Sequence, residues 1–131
     1  MASIFSKIVS GEIPAYKIAE TEDYLAFLDV FPIKRGHVLV IPKKEVDYIF
    51  EMDDEALAGL HLFAKIVAGA MKKSITCKRI GMAVIGLEVP HVHIHLVPLD
   101  SVSDIDFSQP KLQFTPEEFE SVAASIRKNL I

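Results

Sequence analysis

The chain has 131 residues, half of them apolar and 24% charged, with a formal net charge of −4 and a sequence pI near 5.7. That length supports one domain with a buried core, the composition excludes a disordered chain, and the acidic balance excludes a broad surface for nucleic acid polymers or acidic membranes. The single cysteine, Cys77, excludes an internal disulfide framework and metal clusters built on paired thiolates.

In chain order, Phe5 to Ser10 reads as a short helical turn ended by Gly11 and the Ile13-Pro14 step. Lys17 to Ala19 and Tyr24 to Leu28 read as a hairpin around Glu20-Thr21-Glu22-Asp23. Asp29 to Gly36 contains Pro32 and is a loop, and His37-Val38-Leu39-Val40-Ile41, stopped by Pro42, reads as a buried strand. A long helix runs from Asp53 or Asp54 to Lys73, acidic at its start and basic at its end, as the helix dipole favours. At helical spacing Leu60, Phe63, Ile66, Val67, Ala70 and Met71 form one broad arc with Leu62 at its margin, wider than a single sheet face covers. A twofold copy of the same helix is the commonest way to cover such an excess, so the 54–73 helix is expected to form a homodimer; the competing explanation is cover by the C-terminal segment or a loop.

Arg79 to Ile85 and His91 to Val97 read as two further strands, joined across Gly86 to Pro90. A polar stretch, Asp100 to Pro110, follows Pro98. Thr115-Pro116-Glu117-Glu118 opens a final helix near 116–130, with Thr as N-cap, Pro at the first helical position and Glu in the capping-box place. The whole of 1–131 reads as a single domain whose C-terminal extension begins at about 99. Strands and helices that do not interleave regularly predict an α+β fold, with a mostly antiparallel sheet, one long helix and a C-terminal helix. The N-terminus lacks a basic region followed by a long apolar stretch, and no apolar run approaches the roughly 18 to 20 residues of a spanning helix. A cytoplasmic protein without membrane attachment is therefore expected.

The run His91-Val92-His93-Ile94-His95 carries the chemistry. On a strand, successive side chains face opposite ways, so His91, His93 and His95 share one face and Val92, Ile94 and Leu96 the other. The aliphatic set belongs to the core, which leaves three imidazoles on the opposite face. Two chemistries use such an array. One is metal binding, which needs further ligands from His37, His61 or scattered carboxylates. The other is nucleophilic and acid–base catalysis, since an imidazole is mostly neutral at pH 7 and its ring nitrogen can attack phosphorus. Clustered rings also disfavour each other's protonation, which keeps the attacking ring neutral.

His91-Val92-His93-Ile94-His95-Leu96-Val97 resembles the signature of the histidine triad, or HIT, family of nucleotide hydrolases and transferases, and within it the Hint-like branch. The resemblance covers most of the chain, since Ile4 to Ile8, Glu12-Ile13-Pro14, Ala26 to Asp29 and Gly36 to Lys44 look like the family's other landmarks in the right order. It implies a five-stranded sheet and a small-molecule nucleotide substrate, with no redox cofactor. It implies that His93 is the nucleophile, that His95 contacts the phosphate oxygens, and that His91 and His37 complete the ring network. Asp29 matches the position that holds the ribose hydroxyls, and Ile4, Phe5, Ile8, Phe27, Val30 and Leu39 match an apolar slot for the base. Read without the family, those six are core residues. His61 matches no motif and reads as structural.

The chain departs from the pattern in two places. Zinc-bearing members carry Cys-x-x-Cys near the start and a histidine after the Pro-Lys-Lys segment; here those places are Ser3, Ser6 and Glu45, a poor zinc shell, so no metal is expected. Many members also have an Asn and then a Gly-Gln-Ser-like loop before the triad. This chain has Gly86-Leu87-Glu88 in a shortened loop, still assigned to the nucleotide side of the site. Glu88 is then either a general acid toward the leaving group or a sign of substrates unlike ordinary purine phosphoramidates. The leading expectation is a hydrolase or nucleotidyl transferase acting at the α-phosphate of a nucleoside monophosphate conjugate. The altered loop favours the alternative, a nucleotide-binding regulatory module with little turnover. A metal-binding protein is the third reading.

Overall fold

The computed structural model describes residues 2–130. Helix α1 (Ile4–Ser10) is followed by the hairpin β1 (Lys17–Glu20) and β2 (Tyr24–Leu28), then β3 (Val38–Pro42), helix α2 (Asp54–Ser74), β4 (Arg79–Ala83), β5 (Ile94–Leu99) and helix α3 (Pro116–Lys128). The five strands form one sheet in the order β1-β2-β3-β5-β4, with every neighbouring pair antiparallel. The fold is α+β, as the irregular order of elements predicts.

β3 is buried at every position because both of its faces are covered. Ala26, Leu28, Val38, Val40, Ile94 and Leu96 point to one side, where Leu60, Val67 and Met71 of α2 and Val122 and Ile126 of α3 pack on them. Leu25, Phe27, Leu39 and Ile41 point to the other, against Phe5 and Ile8 of α1. A strand between two cores reads as a continuous apolar run, as seen in the sequence.

Local chemistry fixes the helix ends. Asp53 caps α2 by accepting from the Ala56 amide, with Asp54 and Glu55 in the first turn and Lys72 and Lys73 in the last. Thr115 and Glu118 form the predicted capping box of α3. Among the described residues no helix is long and apolar enough to cross a membrane.

The bounds of the last two strands need correction. The hydrogen-bonded strand begins at Ile94, so His91 and His93 precede β5, and β4 ends at Ala83 rather than Ile85. Continuing the β3–β5 register past Val40 and Ile94 would set Val92 opposite Pro42, which has no N–H to give. The backbone there turns to the loops instead: Val92 N–H bonds the Val46 carbonyl at 2.7 Å and His91 N–H that of Val89 at 2.8 Å. The alternation survives without the ladder, since Val92, Ile94 and Leu96 all enter the α2 core. On α2 the broad apolar arc is only partly covered, since Ile66 stays 57% exposed while Ala64 joins the buried face.

Candidate active site

His37 is placed by the turn that enters β3. Gly36 adopts φ +86°, where a side chain is strained and would run into Ile75. The His37 amide bonds the Lys34 carbonyl at 3.1 Å. His95 lies on β5 opposite Leu39 of β3. His91 and His93 follow from the loop closing on Val46 and Val89. Together these elements bury His37, His91, His93 and His95 on the α1 side of the sheet.

The hydrogen bonds orient each ring without ambiguity. The Ile33 amide can only donate, and it reaches His37 Nδ1 at 3.1 Å, so His37 carries its proton on Nε2. His37 Nε2–H donates to His95 Nδ1 at 2.9 Å, which leaves His95 with a proton on Nε2. The carbonyl of His91 can only accept, so His93 Nδ1–H donates to it at 2.7 Å and the His93 Nε2 lone pair is free. His91 Nε2–H donates to the Pro42 carbonyl at 2.7 Å, and its Nδ1 accepts from the Ser3 hydroxyl at 2.8 Å. The rings of His93 and His95, with centroids 5.0 Å apart, therefore offer a lone pair beside an N–H donor.

Burial favours the neutral form of His37, His91 and His95. It is the largest effect on His37, whose pKa falls to about 4, and on His95, whose pKa falls to about 3. The Lys111 ammonium and the neighbouring rings push both the same way, and Asp29 opposes this at His95. Burial also lowers His91, against the pull of its Pro42 hydrogen bond and of Glu45. Since His37 is neutral, its 3.6 Å approach to Asp29 Oδ2 is a contact of a ring with a carboxylate rather than an ion pair.

Asp29, His37 and His95 are close enough together to be considered as a metal site. The donor set does not suit one. A metal at His37 Nε2 needs the lone pair of an atom that the Ile33 amide obliges to be protonated. A second group, Ser3, Ser6, Glu45 and His91, converges as the resemblance to zinc-bearing chains requires. Here its hydroxyls are neutral and bonded to one another's partners: Ser6 Oγ–H donates to Glu45 at 2.7 Å and Ser3 Oγ–H to His91. Hydroxyl oxygens are weak zinc ligands, so this group does not fit the metal either.

The other residues singled out in the sequence separate into two sets. Phe5, Ile8, Phe27 and Leu39 are buried together under α1, and Phe5 lies edge-on to His93 with centroids 5.0 Å apart. Ile4 and Val30 are about half exposed, at 51% and 47%, and lie outside that cluster. Asp29 is near His37 and His95, with one carboxylate oxygen accepting the Phe31 amide at 2.8 Å. Gly86 turns the chain at φ +74°, Leu87 is 88% exposed and Glu88 is exposed beside it, so this loop is not packed into the histidines. His61 donates to the Leu57 carbonyl within α2, away from the cluster.

Sequence reasoning missed Phe107. Its ring lies edge-on to His95 at 4.6 Å and to His37 at 6.1 Å. The segment carrying it is tied down by the Lys34–Asp104 ion pair at 3.1 Å, by the Leu112 amide on the Pro32 carbonyl at 2.8 Å, and by a capped 3₁₀ turn at Val102–Ile105. The available signal was one aromatic residue within a polar stretch directly after the triad strand.

Fold and site together define a small α+β domain that holds four buried, hydrogen-bonded histidines beside the apolar cluster under α1. The HIT domain profile matches residues 10–102, and the chain belongs to the histidine triad family. It is 33% identical over 132 residues to the adenosine 5'-monophosphoramidase hnt1 of Schizosaccharomyces pombe, covering 99% of both chains. Among solved structures it is similar to a Hit-like protein from Bartonella henselae, with a TM-score of 0.87 at 31% identity over 98% of this chain and 96% of that one. A zinc-bound histidine triad family protein from Mycobacterium smegmatis gives 0.84 at 30% identity, covering 99% and 94%.

Proposed function

We propose that the protein is a nucleotide hydrolase or nucleotidyl transferase that cleaves nucleoside monophosphate conjugates, of phosphoramidate or dinucleotide type, at the α-phosphate. The observation that carries this reading is the directed hydrogen-bond chain, which leaves a lone pair on His93 Nε2 and a proton on His95 Nε2. The His93 lone pair attacks the α-phosphorus as the bond to the leaving group breaks, while His95 N–H donates to a phosphate oxygen as charge develops. The leaving group departs with the bonding electrons and takes a proton, for which Glu88 is the candidate donor on the loop. Water then cleaves the P–N bond and releases the nucleoside monophosphate, restoring the neutral ring. Asp29 accepts from the ribose hydroxyls, and the base lies over Phe5, Ile8, Phe27 and Leu39, with Ile4 and Val30 at its rim and Gly86-Leu87 on the phosphate side. The likeness to the fission-yeast monophosphoramidase supports a P–N bond as the one cleaved.

Steady-state hydrolysis of adenosine 5'-phosphoramidate tests the reading. His93→Asn is expected to lower turnover at least about a thousandfold. Glu88→Gln is expected to lower kcat and remove the acid-donor limb of the pH profile. An unchanged profile would exclude Glu88 as the acid. The reading of a regulatory module is favoured by the exposure of Leu87 and Glu88 where donors to the leaving group are expected. Tight binding of nucleoside monophosphate with negligible turnover over a broad substrate panel would select it. We also propose a homodimer through α2, whose Leu62 and Ile66 stay 63% and 57% exposed.

A further inference from the structure

We propose that Ser3 and Glu45 are positioning residues for the nucleophile, acting on His93 through His91; this rests on the hydrolase reading above. The Glu45 carboxylate reaches from the loop after β3 to the start of α1, where one oxygen accepts from the Ser3 amide and the Ser6 hydroxyl, both at 2.7 Å. Ser3 Oγ accepts the Ser6 amide at 3.0 Å as the helix cap and donates its own proton to His91 Nδ1 at 2.8 Å. The opposite nitrogen of His91 holds the Pro42 carbonyl, and the His91 carbonyl holds His93 Nδ1–H, each at 2.7 Å. Three hydrogen bonds, joined through the covalent frames of Ser3 and His91, thus link an exposed carboxylate to the ring that attacks.

The path matters because its middle is buried. Ser3 is 6% exposed and His91 is fully buried, so no water takes the place of a lost hydroxyl. Without the Ser3 donor, the buried His91 Nδ1 faces only the Ser6 hydroxyl, at 3.5 Å and already donating to Glu45, so the ring gains by turning to find a better partner. The ring anchors residue 91 to Ser3 and Pro42, so its turning loosens the backbone that carries the His91 carbonyl, the acceptor that fixes the His93 tautomer. His93 then samples the form protonated at Nε2, which has no lone pair for phosphorus. Glu45 works one step earlier, by pinning the Ser3 backbone so that the hydroxyl points at His91. Its role is that of an acceptor, so a neutral carbonyl oxygen can perform part of it.

The test combines kinetics with imidazole ¹⁵N NMR on histidine-labelled protein, using adenosine 5'-phosphoramidate as substrate. Ser3→Ala is expected to lower kcat about 10- to 100-fold, the cost of a small misplacement of a reacting group, with KM near its wild-type value. It should also convert the His93 signals from a single Nδ1–H tautomer to a mixture. Ser3→Thr, which keeps the hydroxyl, should restore both. A wild-type kcat and tautomer in Ser3→Ala, or a loss that Thr does not repair, overturns the proposal. If Ser3→Ala fails to fold, the exposed Glu45 carries the test: Glu45→Ala should lower kcat and disturb the tautomer, with Glu45→Gln losing less, and equal behaviour of the two overturns it. Should the wild type hydrolyse no phosphoramidate, the hydrolase reading fails, and the tautomer signals alone still decide whether Ser3 and Glu45 position His93.

Discussion

A backbone amide only donates and a carbonyl only accepts, and three such groups, at Ile33, His91 and Pro42, orient the whole histidine cluster. The triad was legible in the sequence from its spacing, and His37 from the family pattern. The tautomers were not, because they depend on Ile33 and Pro42, apolar residues that contribute only their backbone. Burial of neutral rings also predicts a pH response. His37 and His95 have pKa values near 4 and 3 in the fold against 6.5 when unfolded, so the unfolded chain binds protons first. Their contribution to stability is complete above pH 6.5 and is lost as pH falls toward the folded values. The melting temperature should therefore drop between pH 6.5 and 4, and His95→Asn should flatten that slope. Asp104, held near 2 by the amides of Asp100 and Ser101, acts only below its ordinary 3.8, so the drop between pH 6.5 and 4 is not its own. A melting temperature flat from pH 6.5 to 4 would contradict the neutral cluster.

Elements were legible where local chemistry decides them. The α3 start was readable because Thr115, Pro116 and Glu118 form a complete cap in four residues. Thr115→Ala should cost about 1 kcal/mol, seen as a fall in melting temperature, whereas a shift in catalysis from that change is not expected. The start of β5 was not readable, because alternation of side chains persists beyond the ladder and only the mismatch with Pro42 ends it. The 3₁₀ turn at Val102–Ile105 and the docking of Phe107 were also hidden, since a polar stretch gives no period to read. Phe107 contributes to the cover over His95, so Phe107→Ala should let water reach that ring and move its pKa up toward 6.5. An NMR titration of His95 that is unmoved by the substitution would show that the segment does not shield the site.

The whole molecule is a sheet with unequal cover. Its α2 side carries the larger core, and its α1 side carries a smaller one interrupted by the histidines. Placing the site on the thinner side lets buried rings lie close to a substrate. The apolar excess on α2 was visible in the sequence and remains on the outside of this chain at Leu62 and Ile66. Sedimentation should therefore find a dimer, and Leu62→Glu with Ile66→Lys should give a folded monomer. A wild-type chain that sediments as a monomer would remove the dimer. The core itself predicts that Leu60→Ala, at a fully buried position under the sheet, costs about 2 to 5 kcal/mol in denaturant unfolding.

Covalent attack by His93 is the central claim, and acid-quenched mass spectrometry after millisecond mixing with adenosine 5'-phosphoramidate tests it most directly. The account predicts a transient gain of one adenosine monophosphoryl group, mapped to the peptide that contains His93 and absent from His93→Asn. Rapid turnover with no such adduct at any time, or an adduct that forms equally in His93→Asn, would contradict it.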